Sequence, residues 1–310
     1  MRRSPGSTRA ELTVLTAQCR LSHTPPMALD LSLVGKDSAP LSFTYGWKDV
    51  VLYALGIGAK KDELDYLYEG RGPKVVPSFA VVPVFQPMFE LVAKTGGDLA
   101  MVVHGAQRVR LRGVLAPSGT LSTTAKLRGI YDLRRFAVVI VDTETRGETG
   151  NVLFDTTSQI IWREEGGFGG DTPPREPKVV EMPKGRPADF RVEETTSPEQ
   201  ALLYRLSGDI NPLHADPEFA AKVGFDRGPL LHGLCTYGHM VRHVAKGACG
   251  GDATKVTGFE GKFSKPVWPG DTLVTEGWRV GNGKIALQVS VKERSENVIT
   301  GAWATVEDAG

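Results

Sequence analysis

The sequence predicts an α+β chain made twice over, each repeat a curved antiparallel sheet around one helix. Three observations carry that expectation. Residues 137–162, AVVIVDTETRGETGNVLFDTTSQIIW, read as two long strands joined by a glycine-rich hairpin. KFSKPVWPGDTL at 262–273 matches RLRGVLAPSGTL at 110–121, with Pro269 over Pro117 and Leu273 over Leu121, the trace of an internal repeat. Between them GGFGGDTPPREPK, residues 166–178, has the glycines and prolines of a linker. The expected division is a flexible tail at 1–26, an N-terminal repeat at 27–165, a linker at 166–187 and a C-terminal repeat at 188–310.

Composition narrows the function classes. The 310 residues are enough for one large domain or two ordinary ones, and 41% hydrophobic with 24% charged residues is the balance of a soluble protein. A net charge of +1 gives no broad basic field, so nucleic acid is not an expected partner. No apolar run reaches the roughly 20 residues of a membrane span, so no membrane is expected either. Cys19, Cys235 and Cys249 form neither a disulfide framework nor a CxxC pair. A reducing compartment fits them, and a cytoplasmic location is expected. Residues 1–26 are rich in arginine and serine with one acid, Glu11, in the manner of a transit peptide. A more regular text opens at Met27, and an extended, disordered start is the better reading.

The elements follow in order. Val50, Val51, Tyr53, Ala54 and Leu55 predict a short amphipathic helix closed by Gly56 or Gly58. Taken alone, Tyr53 is a core residue and Glu69 a solvated loop acid. Residues 75–93 are apolar but carry Pro77, Pro83 and Pro87. An interior proline costs about 3 kcal/mol, so the helix of the first repeat is expected to be short or broken. Its sheet would then enclose open apolar space lined by Val81, Val82, Phe85 and Met88. Residues 101–121 read as strand, bend and strand. In the second half Leu234, Tyr237, Val241, Val244 and Ala245 fall on one face of an uninterrupted helix. Ile285, Leu287, Val289 and Val291 alternate as in a half-buried strand, and VITGAWATV closes the meander.

The chemistry concentrates in YRLSGDINPLHAD, residues 204–216. Gly208 and Pro212 prevent a continuous helix there, so a turn presents Asp209 and His214 from nearby backbone. Eighteen residues beyond His214, LLHG leads into the second-repeat helix. A carboxylate, an imidazole and Gly233 opening a helix are the parts of an acid/base site with an oxyanion pocket. Asp209 beside a glycine is, on its own, a turn or cap residue. His232, His239 and His243 read as structural or solvated, and Cys235 as packing. His214, Asp216 and His232 lack a Cys/His partner set at zinc spacing, so a metal is not expected; no cofactor is expected either.

These residues resemble the MaoC-like hydratases. YRLSGDINPLHAD, LLHGLCTYG and FSKPVWPGDTL carry the likeness in the second half, and YALGIG, YEG, VVHG and GGFGG in the first. Across residues 28–308 the chain is similar to the two-repeat (R)-specific enoyl-CoA hydratases, hydratase 2, which also form part of peroxisomal multifunctional enzyme type 2. The resemblance implies a double hot-dog fold and reversible hydration of a trans-2-enoyl-CoA to a (3R)-3-hydroxyacyl-CoA in fatty-acid metabolism, and the open apolar space expected beside Pro77, Pro83 and Pro87 predicts medium or long acyl groups as substrates. It implies that Asp209 and His214 carry the chemistry, that Asn211 holds their geometry, and that Gly233 supports the oxyanion. By the same likeness Tyr53 and Glu69 support the site, while His104, Gly105, Arg134 and Phe263 contact acyl-CoA. Arg134 would otherwise be a hairpin-edge charge. A homodimer, or a pseudo-dimer within one chain, is expected. The alternatives are a hot-dog acyl-CoA thioesterase, a dehydratase acting on carrier-protein thioesters, and a non-catalytic acyl-CoA sensor.

Overall fold

The computed structural model describes residues 29–307, so the tail expected at 1–26 lies outside the described residues. The first half runs β1 (Leu41–Tyr45), α1 (Trp47–Gly56), α2 (Leu64–Leu67), α3 (Val81–Lys94), β2 (Val102–Leu111), β3 (Gly119–Leu133), β4 (Phe136–Arg146) and β5 (Val152–Arg163). The second runs β6 (Phe190–Thr195), α4 (Gln200–Tyr204), α5 (Pro217–Lys222), α6 (Gly233–Ala248), β7 (Val256–Phe263), β8 (Thr272–Gly281), β9 (Lys284–Val291) and β10 (Glu296–Val306).

The strands form one antiparallel sheet in the order β1-β3-β4-β5-β2-β7-β10-β9-β8-β6. From the central seam outward, β2-β5-β4-β3-β1 and β7-β10-β9-β8-β6 are the same sequence of elements. The internal repeat is therefore present in topology as well as in text. The seam pairs Ala106 with Lys262 and runs to Arg110 with Gly258. This gives each half a neighbour for an edge that would otherwise carry unpaired backbone groups.

Strand alternation dictates the burial. Along β5, Phe154, Thr156, Ser158, Ile160 and Trp162 point inward. The two hydroxyls among them are satisfied, Thr156 by Thr143 at 2.8 Å and Ser158 by donating to Gln107 at 2.7 Å. At the start of α1 the Asp49 carboxylate accepts the Gly46 N–H at 2.8 Å, placing negative charge at the positive end of the helix.

The helix α6 is more deeply enclosed than one apolar face implies. Every residue from Leu234 to Ala245 is buried, including His239, Arg242 and His243. Strands β6, β7 and β8 flank it, and α1 and the turn that follows cover it. Gly238 permits that close approach, since a Cβ there would stand 2.3 Å from Ile57 Cγ2. A single core thus contains Val50, Tyr53 and Ile57 of the first half and Tyr237, Met240 and Val244 of the second.

The first repeat departs from expectation in its helix. Instead of a short or broken segment, α3 spans 14 residues with Pro87 inside it. Pro77 opens a 3-10 turn, and Pro83 falls in the first turn of α3, where N–H groups have no intrahelical acceptor. Only Pro87 removes an interior bond. Against that loss of about 3 kcal/mol stand Val84, Met88, Leu91 and Val92, each buried and contributing roughly 1.5–3 kcal/mol. Met88, Leu91 and Val92 pack with Leu127, Val139, Ile160 and Trp162 of the sheet. Tertiary burial overrides the local penalty.

Residues 166–187 contain no helix or strand, yet they are tied down. Asp132 of β3 accepts the N–H groups of Gly167 at 2.9 Å and Gly169 at 2.7 Å. Glu176 bridges Arg108 of β2 at 2.6 Å and Arg128 of β3 at 2.8 Å.

Candidate active site

A short irregular segment delivers the two acid/base groups. Helix α4 ends in a 3-10 turn at Arg205–Ser207, and Gly208 follows at φ +126°, a conformation that excludes most side chains. The chain turns there into Asp209. Its Oδ1 accepts the Asn211 N–H at 3.2 Å, and the Asn211 side chain accepts the Leu213 N–H at 2.9 Å. That second bond caps the 3-10 turn Pro212–His214. Asn211 thereby fixes the path between the two reactive groups. The Asp216 carboxylate accepts from Glu218 N at 2.8 Å and caps α5, so it is occupied in structure.

His214 Nδ1 lies 2.9 Å from the carbonyl of Leu230. A carbonyl only accepts, so Nδ1 carries the proton and Nε2 of the neutral ring keeps a lone pair. A carboxylate oxygen of Asp209 and ring nitrogens of His214 and His232 all lie within 4.8 Å of one another. Burial pushes the Asp209 carboxyl up, opposed by the neighbouring His214. Burial pushes the His214 imidazole down, opposed by Asp209. Burial thus disfavours the charged form of both groups, which suits passing a proton between them through a shared water.

The pair faces a cavity of about 990 Å³, at the upper end of the usual range for small-molecule sites. Asp209, Asn211, His214, His104, Gly105, Gly233 and Phe263 all line it. Its remaining wall is largely apolar and includes Val82, Phe85, Met88 and Phe89 on one face of α3. A break in the β2–β5 register between His104 and Ala106 places Gly105 at the wall. His104 Nε2 lies 3.1 Å from the Ala106 carbonyl, and its ring meets Phe263 edge-on at 5.2 Å. Burial lowers the His104 imidazole to about 4, which keeps it uncharged near neutrality. Gly233 is the first residue of α6, and a Cβ there would come within 3.3 Å of the Phe263 ring. Its N–H belongs to the helix end that has no intrahelical acceptor and carries the positive dipole.

Three residues assigned by resemblance do not reach this cavity. Tyr53 is fully buried beneath α6, edge-on to Phe79 at 5.5 Å, and burial drives its phenol far above the usual range. It fills core. Glu69 sits exposed in the 3-10 turn Glu69–Arg71. Arg134 is exposed at the tip of the β3–β4 hairpin at φ +65°, where its N–H donates to Asp132 at 2.6 Å.

Two features were not legible as site chemistry. His232 stacks on His214, and its only sequence signal is its place immediately before Gly233. Glu194 of β6 meets His239, His243 and Arg242 of α6, partners some 45 or more residues away in the chain. Both groups have spacing that a metal ion could use. In the second, Arg242 Nη1 at 3.0 Å and Lys246 Nζ at 3.5 Å already compensate the Glu194 carboxylate and oppose a further cation. In the first, His232 Nε2 is engaged by the Asp209 carbonyl at 3.0 Å.

Comparison with known proteins agrees in both halves. Residues 179–302 match the MaoC like domain, and residues 43–164 match the MFE-2 hydratase 2 N-terminal domain. Enoyl-CoA hydratase 2, peroxisomal, of Arabidopsis thaliana is 37% identical over 282 residues, covering 84% of this chain and 89% of its own. The 3-hydroxyacyl-thioester dehydratase Y of Mycobacterium tuberculosis is 38% identical over 272 residues, covering 86% and 92%. The crystal structure of a MaoC-like dehydratase from Phytophthora capsici superposes with a TM-score of 0.81 at 33% identity, covering 91% of this chain and 98% of that one.

Proposed function

The chain belongs to the MaoC-like family of two-repeat hydratases that includes enoyl-CoA hydratase 2, and from that premise we propose that it reversibly hydrates trans-2-enoyl-CoA to (3R)-3-hydroxyacyl-CoA. The observation that carries this reading is that Asp209, His214 and Gly233, the first residue of α6, line one cavity. Water is a weak nucleophile. Held between Asp209 and His214, it gives up a proton to the pair as its oxygen bonds to the β-carbon. The pair then delivers a proton to the α-carbon, so one water supplies both new groups, on the same face. Charge gathers on the thioester oxygen between these events. The N–H of Gly233 at the positive end of α6 stabilises it, and the glycine lets the thioester come close. In the reverse direction the same groups expel water.

The apolar face of α3 gives an acyl tail a continuous wall beyond the reacting carbons, which supports medium and long chains as substrates. The pantetheine arm is common to CoA and carrier proteins, and the mycobacterial relative is named as a thioester dehydratase. A dehydratase on carrier-protein thioesters is therefore the second reading. The deciding assay follows enoyl absorbance and thiol release together on crotonyl-CoA. Loss of absorbance without free CoA supports the hydratase, while thiol release supports a thioesterase. An (S)-specific hydroxyacyl-CoA dehydrogenase coupled to the product is expected to form little NADH. Comparing kcat/KM on CoA and carrier-protein thioesters separates the first reading from the second.

Cys235 and Cys249 are free and buried, which supports a reducing compartment such as the cytoplasm, although a relative's name places that protein in peroxisomes. Among the described residues no helix is long and apolar enough to cross a membrane. Imaging of the tagged chain decides between the two compartments. The β2–β7 seam supports a pseudo-dimer within one chain, and size-exclusion chromatography separates that from a homodimer.

A further inference from the structure

His232 touches both members of the acid/base pair, each in a different way. Its ring stacks on the His214 ring with centroids 3.6 Å apart and planes 24° apart. Its Nε2 lies 3.0 Å from the main-chain carbonyl of Asp209. The side chain is 1% exposed, with Tyr204 packed at 4.8 Å. It is also the cap of α6, where its own carbonyl accepts the N–H groups of Cys235 and Thr236 at 3.1 Å each. One residue therefore connects the imidazole, the carboxylate-bearing turn and the helix end that carries Gly233.

The hydrogen bonds fix its protonation. The Asp209 carbonyl can only accept, so Nε2 carries the hydrogen. A charged ring would need a second acceptor at Nδ1, and that atom is buried with no partner among the described residues. Burial, with His214 stacked alongside, holds the imidazole well below its ordinary range. His232 is thus a neutral donor with no proton to offer the reaction.

Resting on the hydratase reading, we propose that His232 is a positioning residue for the water-addition step, setting the His214 ring plane through its face and the Asp209 turn through Nε2. Asp209 and His214 must share one water, and a displacement of about 1 Å in such an arrangement costs about 10²-fold in rate. Packing alone would need only volume and an apolar face.

Two substitutions divide the functions of the ring. H232F keeps an aromatic face and loses the donor, whereas H232N keeps an N–H donor and loses the face. Both are to be compared with the unaltered protein on crotonyl-CoA, with folding followed by circular dichroism. The expected result is a fall of at least tenfold in kcat, with KM within about threefold. Placed on an Asp209→Asn background, either substitution is expected to add less than about twofold, because positioning acts only through the intact pair. H232F with wild-type kcat would reduce His232 to packing, as would full additivity with Asp209→Asn. If H232F does not fold, H232N alone decides by the same two criteria. No hydration by the unaltered protein would overturn the hydratase reading and this inference with it, whereas normal hydration with an unaffected variant overturns the inference alone.

Discussion

Arg242, in the middle of α6, donates from Nη1 to the carbonyl of Ile57 at 2.8 Å across 185 residues of chain. Its guanidinium is 2% exposed and also pairs with Glu63 of the first half and, at 3.0 Å, with Glu194 of the second. The second half therefore contains a buried cation whose partners are divided between the repeats. Residues 188–310 alone would retain Glu194 but lose Glu63, Ile57 and the cover over Gly238. Removing a partner from a buried ion pair costs about 3–5 kcal/mol, a large share of a typical 5–15 kcal/mol stability. The isolated fragment is expected to be insoluble or to lack a cooperative thermal transition. A soluble, monomeric and fully active fragment would contradict this.

The same cluster sets a pH dependence. Glu194 is held far below the usual carboxylate range: burial raises it, but His239, His243 and Arg242 more than offset that. Burial lowers His239 to about 4 and also lowers His243, despite the pull of Glu194 on both. All three groups bind protons more readily unfolded than folded, so all three favour the native state at higher pH. The histidine contribution is complete above the unfolded value near 6.5 and is lost as pH falls toward about 4. The Glu194 contribution begins to fall near 4.5 and continues below. Thermal midpoints measured from pH 7.5 to 4.5 are expected to drop steadily from about pH 6.5 downward. H239Q should flatten the upper part of that curve; an unchanged slope would show that the histidine is not its source.

At the site itself, Asp209→Asn and His214→Ala are each expected to reduce kcat by about 10²–10⁴-fold while circular dichroism stays unchanged. If the pair acts on one water as proposed, the double variant loses little more than the worse single one. Near-normal turnover in either single variant would remove that residue from the chemistry.

The strands were readable because side-chain alternation has a period of two and the turns carry glycine, proline or asparagine at their corners. Repetition was readable because both halves bend at a matching proline, Pro117 and Pro269. Asp209 and His214 lie on one turn, so local text already brought them near each other. Positions set by long-range packing were not readable. For Tyr53 and Arg134 the plain residue reading, core and hairpin edge, agrees with the structure, whereas the site roles implied by resemblance depend on contacts that the local text does not record. The stack of His232 on His214 joins residues 18 apart across a turn and a helix end, which no periodicity records. In α3 the prolines declared their cost locally, while the burial that outweighs it comes from β3, β4 and β5.

That correction changes the basis of the chain-length expectation without removing it. Space for an acyl chain does not come from a missing helix, because α3 is complete. It comes from the face of α3 that carries Val82, Phe85 and Phe89 and borders the cavity. Each methylene moved from water to that wall contributes about 0.8 kcal/mol, close to fourfold in binding. A cavity of about 990 Å³ has room for several. The expected outcome is that kcat/KM holds or rises from crotonyl-CoA to medium and long enoyl chains. Val82→Trp places a large ring on the same wall and should lower the decenoyl-to-crotonyl ratio of kcat/KM by about tenfold, since roughly two methylenes lose their contacts. A steep fall beyond the shortest chains in the unaltered protein would mean that the α3 wall does not receive the tail. An unchanged ratio in Val82→Trp would mean that the tail leaves the site by another route.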